Sequence, residues 1–226
     1  MTKLSYRQES NRARGERVAG AWRPLVVAAL FALAGSAWAA TNGKAPATGH
    51  TPYLVTNDCM VCHGMRGSAT TYDVIPRLAG QHKAYLVMQL KQFRDGHRAD
   101  QNGNLYMAPV AQGLTDGQID QVAGYFAAQR PRMQASGVYH AGAKAGKAIF
   151  MNGVTAEQIP ACMECHGANA QGVGTFPDIA GQRYRYIVQQ LKYFHNGTRK
   201  NALMNQIAKN ITVPQMKEVA AYLSSL

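Results

Sequence analysis

Cys59-Met60-Val61-Cys62-His63-Gly64 and Cys162-Met163-Glu164-Cys165-His166-Gly167 hold all four cysteines of the 226-residue chain. A Cys-x-x-Cys-His pentapeptide suits three chemistries: covalent haem attachment, a zinc knuckle or a redox dithiol. Zinc needs four ligands at close spacing, and here the two cysteine pairs fall in separate repeats. A thioredoxin-like dithiol expects a βαβ setting, and the chain shows no alternating strand pattern. Haem attachment uses the whole motif: two thiols add to the two vinyl groups of one porphyrin, and the histidine that follows sits under the iron. Two copies imply two covalently bound haem c groups, with His63 and His166 as iron ligands.

The sixth ligand decides whether such an iron reacts or only passes electrons, since an open position binds peroxide or oxygen and a methionine closes it. Aligning the repeats selects the candidates. Met65 faces Ala168, Met88 faces Gln189, and Met216 faces Ile119. Outside the two attachment motifs, Met107 and Met204 alone are matched, each eight residues before a threonine, Thr115 or Thr212, that opens the last helix of its half. No histidine outside the motifs is matched, because His82, His97 and His195 stand opposite Arg183, Thr198 and Arg94.

The elements that must position these groups read as all-α. Thr115 with Gln118, and Thr212 with Gln215, are capping boxes. Ile119, Val122, Ala123 and Phe126 then follow at helical spacing, as do Met216, Val219, Ala220 and Leu223. An earlier helix in each half, around Tyr85–Leu90 and Tyr186–Leu191, ends at Gly96 or Gly197. Residues 143–151 form a short helix ahead of the second motif, whereas the pattern before Cys59 is weaker and falls short of a full helix. Ile75-Pro76-Arg77-Leu78-Ala79-Gly80-Gln81 returns as Phe176-Pro177-Asp178-Ile179-Ala180-Gly181-Gln182, and the stretch from Leu90 to Arg98 returns from Leu191 to Arg199. The organisation is a signal peptide over 1–39, a first haem domain over 40–130, a linker over 131–141 and a second haem domain over 142–226.

The signal reading rests on six basic residues before an uncharged apolar run over 25–40, with Ala37-Trp38-Ala39 as the cleavage site. It places the mature protein in the periplasm. The whole chain has a formal charge of +12. The excess is unequal: 40–131 holds eight basic and six acidic residues, and 132–226 holds ten and four. Nucleic acid is not the expected partner, because no Lys/Arg run or aromatic-basic stripe appears. A docking face for an acidic protein, or peripheral association with an anionic membrane, is the better use of the charge. The second domain is therefore expected to dock and to hold the haem of higher potential.

With these motifs together, the chain from about residue 57 to its end resembles the dihaem cytochrome c4 family. The resemblance implies two tandem class I cytochrome c domains related by a pseudo-twofold. It implies a non-enzymatic carrier, fed by a quinol–cytochrome c reductase or a dehydrogenase and passing electrons towards a terminal oxidase. It also implies that the carbonyls of Pro76 and Pro177 accept a hydrogen bond from the axial histidine Nδ1. The departure from the family lies at 65–71, where Met65-Arg66-Gly67-Ser68-Ala69-Thr70-Thr71 replaces a glycine-rich loop. Arg98 and Arg199, matched near the expected haem edges, either bond a haem propionate or stand solvated at a helix end. Two other functions compete: the dihaem subunit of a periplasmic dehydrogenase such as flavocytochrome c sulfide dehydrogenase, and a dihaem peroxidase, which would want an open iron and a longer chain.

Overall fold

The computed structural model describes residues 52–68, 72–131 and 141–226. The expected signal peptide, most of the linker and Ala69–Thr71 lie outside the described residues. All described residues belong to one compact unit, 42–226.

In the first half the chain is helical from Tyr53 to His63. A wide π-helical turn, Val55–Cys59, runs into α1, Met60–His63. Sequence pattern undersold this segment because the wide turn breaks the 3.6-residue period while still burying Val55 completely. There follow α2 (Lys83–Arg94), a second π-helical turn (Gly103–Met107), α3 (Ala108–Gln112) and α4 (Asp116–Ala127). The second half holds α5 (Ala143–Asn152), α6 (Met163–His166), α7 (Tyr184–His195), α8 (Ala202–Ala208) and α9 (Val213–Ser224). Among the described residues there are only isolated bridges and no strands.

Both expected capping boxes form, with Thr115 and Gln118 opening α4 and Thr212 and Gln215 opening α9. Each satisfies two N–H groups that a helix start leaves without intrahelical partners. The apolar stripe behind each box is then buried. Ile119, Val122, Ala123 and Phe126 line α4, and Met216, Val219, Ala220 and Leu223 lie on α9.

Each half has its own core. Val55, Leu86, Val122, Ala123 and Phe126 pack together in the first, with Cys59 against them. In the second, Ile149 and Phe150 of α5 meet Ile187 and α9, with Cys162 against them. The α5–α9 crossing is close: a Cβ on Gly146 would lie 1.9 Å from the Glu218 carbonyl oxygen, so any side chain there would force the helices apart. Met216, unmatched in the repeat, is fully buried among Ile159 and Ile211 and acts as core.

Candidate haem sites and the junction between them

The two attachment motifs share one local geometry. Each ends a short helix with a glycine of positive φ, Gly64 at 73° and Gly167 at 78°, which turns the chain away directly after the histidine. His63 Nδ1 donates to the carbonyl oxygen of Pro76 at 3.1 Å, and His166 Nδ1 donates to that of Pro177 at 3.3 Å. A carbonyl only accepts, so the proton sits on Nδ1 and Nε2 keeps its lone pair for a metal. Burial holds both imidazoles below the usual histidine pKa, against the opposing effect of that hydrogen bond, and so favours the neutral ligand form.

None of the four cysteines forms a disulfide. Cys59 and Cys162 each pack against the core of their half, and burial pushes both thiols up to about 11, with Asp58 adding to the rise at Cys59. An uncharged sulfur is what these places tolerate. A thioether to a porphyrin is uncharged, so the donor set and its surroundings fit covalent haem.

Met107 closes the second π-helical turn and Met204 lies in α8, both half-buried. Asp100 and Asn201, equivalent in the repeat, hold these segments from one side. Asp100 Oδ1 accepts from the Gly103 N–H at 3.1 Å, and Asn201 Oδ1 accepts from the Met204 N–H at 3.0 Å.

Arg98 and Arg199 are buried, so neither is the solvated helix-end residue that sequence allowed as an alternative. A helix-end position says nothing about a facing domain, and here the two arginine backbones form an antiparallel bridge between the halves. Arg98 donates to Gln89 of its own half and to Gln190 of the other at 3.0 Å, and Arg199 donates to Gln190 at 2.6 Å and to Gln89 at 2.8 Å. Each guanidinium also stacks on a phenylalanine of its own half, Phe93 or Phe194. Equivalent residues thus meet one another, as an interface around a pseudo-twofold requires.

The charges in this cluster do not balance. Arg98 pairs with Asp100 at 2.9 Å, whereas the Arg199 guanidinium donates to neutral groups, the amide oxygens of Gln190 and Gln89 and the Tyr85 hydroxyl at 2.9 Å. Burial raises the Tyr85 pKa, but Arg199 and Arg98 outweigh it and hold the phenol below its ordinary value. A buried cation without a carboxylate is costly, so this junction favours a further anion.

Sequence reasoning missed Gln89, Gln190 and Asp100 as part of the site. A signal was present: a glutamine matched between repeats within an otherwise apolar helix face, Leu86-Gln89-Phe93 in α2 and Ile187-Gln190-Phe194 in α7.

Comparison with known proteins places this geometry. A family model described as cytochrome c matches residues 47–129 and again 143–226. Cytochrome c-552 of Acidithiobacillus ferridurans is 64% identical over 203 residues, covering 89% of this chain and 86% of that protein. A thiosulfate dehydrogenase electron acceptor of Thiomonas intermedia is 34% identical over 202 residues, covering 87% and 86%. The solved structure of Acidithiobacillus ferrooxidans cytochrome c4 is 68% identical and superposes with a TM-score of 0.73, covering 76% of this chain and 99% of that one.

Proposed function

The chain belongs to the cytochrome c4 family, a dihaem electron-transfer protein with one covalent haem c in each of two cytochrome c domains, and from that premise we propose that it is a periplasmic carrier delivering electrons to a terminal oxidase. Each bound haem supplies one-electron Fe(III)/Fe(II) chemistry. The chain's residues do the rest. Cys59 with Cys62, and Cys162 with Cys165, anchor the two groups. His63 with Met107, and His166 with Met204, would hold the two irons and close them to small ligands. Pro76 and Pro177 orient the histidines, and Arg98 and Arg199 would bond the propionates of the bound haems. The charge imbalance at the junction supports that last assignment, because a propionate would supply the missing anion.

The observation that carries the carrier reading is the distribution of exposed charge. Lys83 pairs with Asp120, Lys91 with Asp116, and Arg94 with Asp95 and Asp116. Among the described residues these exposed ion pairs all lie in the first half. Lys144, Lys147, Lys192, Lys200, Lys209 and Lys217 of the second half are exposed. That leaves an unneutralised basic surface for an acidic acceptor. Among the described residues no helix is long and apolar enough to cross a membrane.

A second reading, electron acceptor or cytochrome subunit of a periplasmic dehydrogenase, is favoured by the 34% identity to a thiosulfate dehydrogenase electron acceptor. The two are separated by kinetics on the purified dihaem protein. A carrier is oxidised rapidly by oxidase-containing membranes, at a rate that falls with salt, and purifies alone. Slow oxidation, together with a dehydrogenase that co-purifies and reduces it directly, establishes the second reading instead. The ligand set is tested separately: the near-infrared Met-to-iron band of the ferric protein should halve in Met107→Ala and in Met204→Ala, and an unchanged band removes that methionine from the assignment.

A further inference from the structure

Gln81 and Gln182 end the repeated Pro-x-Leu/Ile-Ala-Gly-Gln segment of their halves, and each is 4% exposed. Both reach across the junction. Gln182 Oε1 accepts from the Arg77 N–H at 2.8 Å, and its Nε2 donates to the Arg77 carbonyl at 3.1 Å. In the mirrored contact, Gln81 Oε1 accepts from the Asp178 N–H at 2.9 Å and Nε2 donates to the Asp178 carbonyl at 2.8 Å. Each side-chain amide therefore closes a two-bond ring on one residue of the opposite half. Each is also anchored to the start of its own helix, because Oε1 takes the N–H of His82 or Arg183 at 2.9 Å.

The residues gripped in this way directly follow Pro76 and Pro177. The Arg77 N–H belongs to the same peptide unit as the Pro76 carbonyl, which holds His63. The Asp178 N–H belongs to that of the Pro177 carbonyl, which holds His166. A peptide whose N–H is engaged is polarised, and its carbonyl becomes a better acceptor. A better acceptor at imidazole Nδ1–H fixes the ring and makes the opposite nitrogen more basic. Two chains result, Gln182–peptide–His63 and Gln81–peptide–His166, and each begins in one half and ends in the other.

We propose that Gln81 and Gln182 are crossed positioning residues, each setting the orientation and basicity of the axial histidine in the opposite domain, an inference resting on His63 and His166 being iron ligands. A more basic ligand stabilises the ferric state, so each glutamine lowers the reduction potential of the haem it does not share a domain with. A change in how the two halves pack would therefore shift both irons together, through hydrogen bonds and without altering either ligand set.

The test uses the full-length dihaem protein with Gln182→Met and Gln81→Met, which keep side-chain length and remove both polar ends. Potentials of the two haems are read separately, by redox titration followed through their NMR methyl resonances. Gln182→Met should raise the potential of the Cys59/Cys62 haem relative to its neighbour, and Gln81→Met that of the Cys162/Cys165 haem. His82→Ala, which removes a different contact between the halves, to the Gln171 carbonyl at 2.7 Å, should produce no crossed shift. Shifts confined to the mutated half, equal in both haems, or reproduced by His82→Ala overturn the proposal. The low-spin spectrum of each variant is recorded first: an unmutated protein without histidine ligation defeats the premise, whereas retained ligation with uncrossed shifts defeats only the crossing. Should the methionine variants load fewer than two haems, Gln182→Asn and Gln81→Asn, too short to span the junction, carry the same comparison.

Discussion

Asp100 and Asn201 begin equivalent segments, yet only the first is a charge. Met107 lies seven positions after Asp100, and Met204 three after Asn201; the longer stretch of the first half contains its second π-helical turn. Asp100 is fully buried and pairs with Arg98, whereas Asn201 is exposed and caps α8 directly. One hydrogen-bonding device thus serves both halves, and a single carboxyl-for-amide difference leaves a buried anion in the first half alone. A negative neighbour stabilises the ferric state. The difference therefore acts in the same direction as the surplus of exposed lysines in the second half, and both favour a higher potential there.

The largest test of the comparison concerns the cores. Phe150 is fully buried against α9, and Phe150→Ala should cost about 3–5 kcal/mol by the usual cavity arithmetic. Val55 is its buried counterpart beside the first motif, and Val55→Ala should cost about 2 kcal/mol, since fewer buried methyls are lost. Denaturant unfolding followed through the Met-to-iron band checks both, and equal losses would show that the halves unfold as one block.

Next in size is the turn after each motif. Gly67 and Ala170 are equivalent and both left-handed, at φ 67° and 58°, and each carbonyl takes two N–H groups, Leu78 and Ala79 or Ile179 and Ala180. A Cβ at Gly67 would lie 2.6 Å from the Phe126 ring, so Gly67→Ala should destabilise by about 1–3 kcal/mol. Ala170→Gly relieves left-handed strain of about 1 kcal/mol but loosens the unfolded chain, and should stay within about 1 kcal/mol of the parent. Thermal unfolding of the dihaem protein distinguishes the two.

The charge difference is tested by Asp100→Asn, which makes the first half resemble the second. The potential of the Cys59/Cys62 haem should rise, by roughly 1–2 kcal/mol for a unit charge about 10 Å away at an effective dielectric of about 20. Asn201→Asp should lower the other. A titration in which Asp100→Asn moves the second haem more than the first would break the comparison.

Smallest is the effect on docking. Reversing Lys192 and Lys200 to Glu should slow electron transfer to the acceptor several-fold at low salt, more than reversing Lys83 and Lys91, whose charges already meet Asp120 and Asp116. Equal slowing from the two pairs would remove the basis for assigning the docking face to the second half.

Much of the fold was legible because its signals are local. Both capping boxes, the helix ends before Gly96 and Gly197, and α5 follow from residues a few positions apart. The helical lead-in to Cys59 was underestimated because a π-helical turn has no 3.6-residue signature. Arg98 and Arg199 were legible as a matched pair but not as buried residues, since nothing within a half shows what it faces.

The sequence by itself determined the attachment chemistry, two cysteines and a histidine on one helical turn, repeated once, because that chemistry needs residues only three and one positions apart. It also marked Met107 and Met204, because duplication turns a shared spacing into information. The tertiary structure alone decided what joins the halves. Gln182 meets Arg77 across 105 residues and Arg199 meets Gln89 across 110, and the repeat that predicts equivalence is silent on contact. Contact between equivalent positions arises only when two like surfaces pack about a twofold, and that packing is set by shape and buried polarity across the junction, which no spacing within either half encodes.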